Sequence, residues 1–334
     1  MTTLHSLLEL GSTPTERRRD RAVRLSLLTL AALALASCAA YLLYDVQGSW
    51  SYALSLRSRQ LGALVVVGVA IGVSSVVFQT IAGSRILTPS VMGFDSLYVL
   101  IQTVFVASLG GAALTLGVVE RFVVNAVLLA TFGVLLFRWL FRRNSRNLYV
   151  LVMIGIVLGA FFQSLAVLMS RVLTPDDYLT LQQLTFASFT TVNPTLLGVA
   201  ALVTVAGLAA LVPMLRQVDV VDLGKDNAIA LGVDYHRVVT RVLLVSVLLV
   251  AVSAALVGPM LFLGLIVANL ARQVVRTNRH RALAIGAGLL GAVICVLGQF
   301  IVAHVFGLTT TFSVVVNLVG GVYFIILLLR TTRL

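Results

Sequence analysis

The sequence predicts an all-α integral membrane protein of ten transmembrane helices with both termini in the cytoplasm. Three observations carry that reading. Of the 334 residues, 60% are hydrophobic and 11% charged, with a mean hydropathy of +1.06, whereas a soluble domain averages about 25% charged residues. Apolar runs of about 20 residues, enough to cross the hydrocarbon core, recur along the whole length. Positive charge accumulates on the cytoplasmic side of membrane proteins. Here 20 of the 24 Lys and Arg fall on the side of the N-terminus, and only Arg57, Arg59, Arg121 and Arg171 fall opposite. That split requires an even number of spans, because one more or one fewer would scramble the alternation.

The chain divides into a polar cytoplasmic segment, 1–24, and one membrane domain, 25–334. The first apolar run, 25–44, follows Arg17 to Arg24 and exceeds the 7 to 15 residues of a signal-peptide core, so it is read as a retained helix. The remaining spans are placed at 61–81, 91–108, 115–138, 148–171, 195–215, 238–256, 258–273, 283–304 and 309–330. The third and eighth are short, which points to tilted or partly buried helices. Leu173 to Pro194, LTPDDYLTLQQLTFASFTTVNP, is too polar to span. Asp176 or Asp177 is expected to cap a short helix beginning near Tyr178, lying at the outer surface or dipping into a cavity.

Composition and motifs also exclude function classes. The net charge of +12 is distributed between apolar spans, which fits a basic membrane face and not a nucleic-acid surface. Cys38 and Cys295 lie inside apolar runs, where a thiol behaves as a small hydrophobe, so neither a disulfide nor a metal site is assigned. Asp95 and Glu120 are the only acidic residues in or beside the spans. Each sits near a helix end, where a carboxylate meets the macrodipole. An ion-coupled transporter needs a charge or an unwound helix at mid-depth, and no candidate stands out. HExxH, GxSxG and paired Cys motifs are absent, and His5, His236, His280 and His304 are scattered. The single lysine, Lys225, follows glycine in LGKDN. A phosphate-binding loop needs GxxxxGK and then Ser or Thr, and Asp226 stands in the hydroxyl position. No cofactor is expected, and any ATP must be bound by another chain.

One stretch is polar and helical amid all this apolar sequence: VVDLGKDNAIALGVDYHR, Val220 to Arg237. It falls between spans six and seven on the positive side. Its middle reads as a short helix carrying Ala228, Ile229 and Leu231, with Gly224, Ala228 and Gly232 small enough for close approach. It is either a plain cytosolic loop or a helix that inserts into a groove of a soluble partner.

Within it, LGKDNAIALGV resembles the cytoplasmic motif of the FecCD (cobalamin and iron-siderophore) permease family of ABC importers, in which Leu-Gly, a later Ala and a second Leu-Gly recur at this spacing. RSRQLGALVVVGVAIGVSSVVFQTIAGSRILTPSVMGF, Arg57 to Phe94, is similar to the family's second-helix block. ALVGPMLFLGLIVANLAR, Ala255 to Arg272, resembles its Gly-Pro-x-x-Phe-x-Gly-Leu block, and GGVYFIILLLR its C-terminal helix. The resemblance covers nearly the whole chain after the first span.

It implies the ABC importer type II permease fold, with two permease subunits, identical or different, forming one pathway in the bacterial cytoplasmic membrane. Two cytoplasmic ATPase subunits would dock beneath and an extracytoplasmic substrate-binding protein above. Residues 220–237 would then be the coupling region, with Leu223, Gly224, Ala228, Leu231 and Gly232 matching the motif. Arg57 and Arg59 match arginines that pair with acidic knobs on the binding protein, or else anchor at the headgroups. Gly68, Gly72, Ser75 and Gln79 would either permit close helix packing or line the pathway. The chain departs from the family pattern at Ser84-Arg85, where Asn-Pro is usual, and at Ala268-Asn269, where Pro-His often stands. A third external arginine has no counterpart, though His304 is near its place. The form GSRILTPSVMGFDSLY is most similar to a branch serving catecholate-type siderophores. The implied cargo is a ferric siderophore; the alternatives are haem or cobalamin, or an ion-coupled secondary transporter.

Overall fold

The computed structural model describes residues 14–44, 49–110, 117–142, 148–190, 192–305 and 311–331, and among them regular structure is entirely helical. Helices α1 (Pro14–Leu43), α2 (Trp50–Ala82), α3 (Phe94–Leu109), α4 (Val118–Arg142) and α5 (Leu148–Ser170) take the first five predicted spans. A short helix, α6 (Pro175–Thr185), is followed by α7 (Pro194–Leu211), α8 (Leu215–Val221) and α9 (Lys225–Ala230). Then come α10 (Tyr235–Val257), α11 (Leu263–Val275), α12 (His280–His304) and α13 (Phe312–Thr331). Among the described residues eight helical stretches are long and apolar enough to cross a membrane, and α3 and α11 are the shorter apolar helices. These two occupy the runs whose shortness the sequence had flagged.

Two local expectations are corrected. The α6 helix begins at Pro175, and its cap is Thr174, not an aspartate: Thr174 Oγ1 accepts the Asp177 amide at 3.3 Å and donates to Asp177 Oδ2 at 2.7 Å. The Asp177 carboxylate, at the third helical position, thus accepts the hydroxyl whose oxygen caps its own amide, with Pro175 at the first turn where no N–H is required. The sixth span also outruns its expected end at 215. A single 3-10 turn, Val212–Met214, absorbs Pro213, which cannot donate to the helical ladder, and helix continues as α8 to Val221.

The bundle is organised around α2, α10 and α12, whose spanning windows are mostly buried, whereas α1, α4, α5, α7 and α13 are largely exposed. A helix apolar all round belongs inside a bundle, and α2 meets that description. It sends Val73, Val77, Phe78 and Ile81 into one core with Phe94, Leu129, Leu243 and Leu249. Its other face sends Leu64, Val67, Ile71 and Val76 into a second core with Leu263, Val267, Leu290 and Val296. Backbone polar groups in hydrocarbon must be satisfied internally, and three buried hydroxyls use the carbonyls of their own helix: Ser74 donates to Ile71, Thr80 to Val76 and Ser253 to Leu249.

The contact between α2 and α12 is backbone on backbone. A methyl group added at Gly68 would run into the backbone of Gly291, and one at Gly291 into that of Gly68; Gly72 likewise faces the Ala287 carbonyl. Association of membrane helices relies on such close packing because lipid offers no hydrophobic drive between them. Replacing Gly68 by Ala is expected to lower stability by roughly 1–3 kcal/mol through overpacking, read as a lower Tm of the detergent-solubilised protein. Gly198→Ala, in α7 with open space around it, is expected to leave the Tm unchanged or raised.

Candidate coupling surface and the polar cluster behind it

The surface is built from α8 outward. Leu215, Val218 and Val221 bury one side of α8 in the first core. The chain then breaks at Gly224, whose φ of +98° starts α9, a conformation that costs a side-chain-bearing residue dearly. Six residues later α9 is closed by a Schellman motif: the Gly232 amide donates to the Ile229 carbonyl at 2.9 Å and the Val233 amide to the Ala228 carbonyl at 3.0 Å. Gly232 takes a φ of +80°, as the left-handed position of that motif requires. Nothing of this chain lies within 4 Å of where a Cβ would be at either glycine, so within the chain they serve backbone conformation and their outer sides are open. The packing residue is Ala228, which is fully buried.

That single buried alanine leaves the rest of the motif facing outward. Leu223, Ile229 and Leu231 are 59%, 52% and 64% exposed, an apolar ridge on a segment otherwise made of Asp222, Lys225, Asp226 and Asp234. Contiguous exposed apolar side chains rimmed by polar ones mark interaction sites. Its frame is rigid: Asn227 Nδ2 donates to the Leu223 carbonyl at 2.7 Å, and Asp234 caps α10 by accepting the Arg237 amide at 3.1 Å.

Behind the ridge lies a polar cluster that sequence reading missed. Asp219, on α8, accepts the backbone amide of His280 at 2.7 Å and lies 2.7 Å from His280 Nδ1. A carboxylate thus sits at the N-terminus of α12, where the macrodipole favours it. The His280 ring is 1% exposed, and its Nε2 lies 2.8 Å from Thr80 Oγ1 on α2. Arg272 of α11 donates to the same hydroxyl at 3.1 Å and to the Val76 carbonyl at 3.3 Å. Four helices are joined by four side chains. The links span 61 and 200 positions of sequence, so no local spacing could reveal them. Beside this cluster the two departures from the family pattern meet, because Asn269 Nδ2 donates to the Arg85 carbonyl at 2.9 Å and Gln79 Nε2 to the same oxygen at 2.8 Å.

Of the second-helix residues, Gly68 and Gly72 pack against α12, Ser75 is buried against Gly264 of α11, and Gln79 is buried at the Arg85 carbonyl. None of the four lines the cavity of about 610 Å3 that opens between α3, α5, α11 and α13, bounded by Asp95, Gln163, Phe262, Asn317 and Phe324. Asp95 does line it, from the first turn of α3, and its Oδ1 is buried without a hydrogen-bond partner. At the opposite end Arg57 Nη1 donates to the Tyr44 carbonyl at 2.6 Å and reaches those of Tyr41 and Leu42 at 3.4 Å. This cation closes the C-terminus of α1. Arg59, two residues on, is exposed and makes no hydrogen bond or ion pair among the described residues. His304 stacks on Phe300 at 4.3 Å and meets Tyr44 edge-on at 5.1 Å.

Asp219→Ala removes the acceptor shared by a helix N-terminus and a buried ring. It is expected to cost roughly 1–3 kcal/mol, the penalty for leaving buried partners unsatisfied, measured as a drop in Tm in detergent. An unchanged Tm would mean that the cluster contributes nothing to holding α8 on α12.

Comparison with known proteins agrees with this architecture. The chain is 39% identical over 305 residues, 91% of its length and 96% of the relative's, to the petrobactin import system permease protein YclO of Bacillus subtilis (strain 168). It is 29% identical over 337 residues, 99% of its length and 95% of the relative's, to the petrobactin import system permease protein FatC of Bacillus anthracis. Its fold superposes on a solved transporter assigned to the metal-chelate ABC type in an inward-facing conformation, with a TM-score of 0.80 at 21% identity, covering 92% of this chain and 99% of that one. Residues 22–330 match the FecCD transport family. This multi-pass, all-helical membrane chain belongs to the FecCD transport family.

Proposed function

We propose that the chain is the transmembrane permease subunit of a binding-protein-dependent ABC importer that moves a ferric siderophore across the bacterial cytoplasmic membrane by alternating access. The observation that carries this is the exposed ridge of Leu223, Ile229 and Leu231, held on the positive side of the molecule by the buried Ala228. A partner ATPase receives the ridge in a groove. The cargo class follows from two petrobactin permeases among the relatives; hemin, vitamin B12 and molybdate permeases, at 26%, 30% and 26% identity, are also among them. A second permease subunit completes the pathway along the face where α3, α5, α11 and α13 leave the cavity open.

The mechanism uses the polar cluster as a linkage. Displacement of α9 carries α8 with it, because the two short helices are in contact, with Ala228 buried on one and Leu215, Val218 and Val221 on the other. Asp219 then pulls on the first turn of α12 and, through His280 and Thr80, on α2 and α11. ATP-driven closure of the partner subunits thereby repositions the helices that bound the pathway. On the other face Arg59 offers a free guanidinium to a carboxylate of the binding protein, while Arg57 is committed to capping α1.

Two outcomes test this. Gly232→Glu places a charged side chain at a positive φ and beside the ridge. It is expected to abolish siderophore uptake and co-purification of the ATPase while membrane insertion stays intact; normal uptake would exclude docking at α9. Arg57→Ala is expected to lower the Tm. Arg59→Glu is expected to leave the Tm unchanged but to weaken stimulation of ATP hydrolysis by the binding protein. The reverse pattern would exchange the two roles.

A further inference from the structure

A second cavity, of about 760 Å3, opens at the inner end of α2 and α11 and is lined by Arg85, Asn269, Arg272, Gln273, Arg276 and Asn278 among others. It is continuous in position with the first. Ile86 lines both, and on α11 and α13 the lining residues step by one turn from Leu265 to Asn269 and from Phe324 to Leu327. The wall chemistry changes along that step. The first cavity is walled mainly by apolar side chains, with Asp95 the charge on its wall. The second carries three guanidinium groups and no carboxylate on its wall.

A positive-inside bias alone would leave those charges in water or among headgroups. Arg272 is different: it is anchored by Nη2 to Thr80 and Val76, and its Nε is buried without a partner. Arg85 acts on it as a like charge, and Asp222, the carboxylate close enough to act on it, forms no ion pair with it among the described residues. Arg276 donates through Nε to the Gln273 carbonyl at 3.2 Å and forms no ion pair either. Three guanidinium groups on one cavity wall that carries no carboxylate, none of them in an ion pair among the described residues, form a receptor for a multi-oxygen anion, since guanidinium forks match oxyanion geometry.

We infer that Arg85, Arg272 and Arg276 form an anion-receiving site at the inner end of the pathway, and that its ligand is the anionic ferric chelate on its way to release. The inference rests on the siderophore-importer reading above. A chelate whose deprotonated oxygens outnumber the three charges of the iron is a net anion, so the same chemistry that binds iron supplies the charge this cavity takes. Lipid phosphate shares that chemistry, and the test separates the two sources.

The complete importer, with its partner permease, ATPase and binding protein, is reconstituted in vesicles, and uptake of an anionic ferric catecholate is followed for Lys, Gln and Glu at positions 85 and 276. Lys should retain uptake, Gln should lower it roughly tenfold for each guanidinium lost, and Glu should abolish it. Each variant should keep the wild-type Tm and co-purify with the ATPase, showing that it is folded and assembled. Equal uptake across the series with an active wild type overturns the site. A wild type that imports no ferric chelate overturns the importer reading itself, and the site with it. If Gln matters only as a loss of Tm in vesicles containing phosphatidylglycerol, and not in vesicles of phosphatidylcholine, the cavity holds a lipid headgroup and the cargo assignment falls.

Discussion

The approach of α2 to α12 at Gly68 and Gly291 sets the geometry on which the rest of the molecule depends. Two backbones in contact fix the helices at a spacing that no side chain could reproduce, in a medium where packing replaces the hydrophobic effect as the source of association. Because α2 is clamped at mid-length, its two faces can serve two cores, one shared with α3, α4 and α10 and the other with α11 and α12. Its inner end is delivered to a fixed place, where Thr80 meets His280 and Arg272.

That inner end is where packing becomes function. Asp219, His280, Thr80 and Arg272 are joined by hydrogen bonds around the buried His280 ring, where an unpaired polar group is expensive. The arrangement links α8 by hydrogen bonds to α12 and, through His280 and Thr80, to α2 and α11. The ridge on α9 stands one short turn away on the solvent side. On the proposed reading, this outward-facing apolar element joined to a polar linkage receives force from a partner and passes it inward.

Much of this was legible in sequence, and the part that was not has a physical reason. Span positions and orientation follow from hydropathy and from the Arg and Lys distribution, which are properties of composition. The α9 motif was legible because its determinants are local: Gly224 and Gly232 mark positive φ, with Leu223 just before the first and Ala228 and Leu231 at fixed offsets between them. Sequence alone does not distinguish a glycine needed for φ from one needed for space; Gly68 meets the backbone of Gly291, whereas Gly232 stands at a positive φ with nothing of this chain beside it. It missed the capping role of Arg57, which requires knowing that α1 ends beside the start of α2. It missed the Asp219 to His280 bond entirely, because a contact across 61 residues leaves no periodic trace. Thr174 was passed over as a cap in favour of the two aspartates beside it, although Pro175 at the first helical turn was a signal available in the sequence.

The claim on which the account turns is that α9 is received by the ATPase. Site-directed cross-linking from Ile229→Cys, in the assembled importer within native membranes, tests it most directly. The account predicts a covalent product with the ATPase subunit that forms from Ile229→Cys and not from Asn278→Cys, which lies at the mouth of the basic cavity. Cross-linking from position 278 and none from position 229 would contradict it, and would place the force-receiving surface elsewhere on the cytoplasmic face.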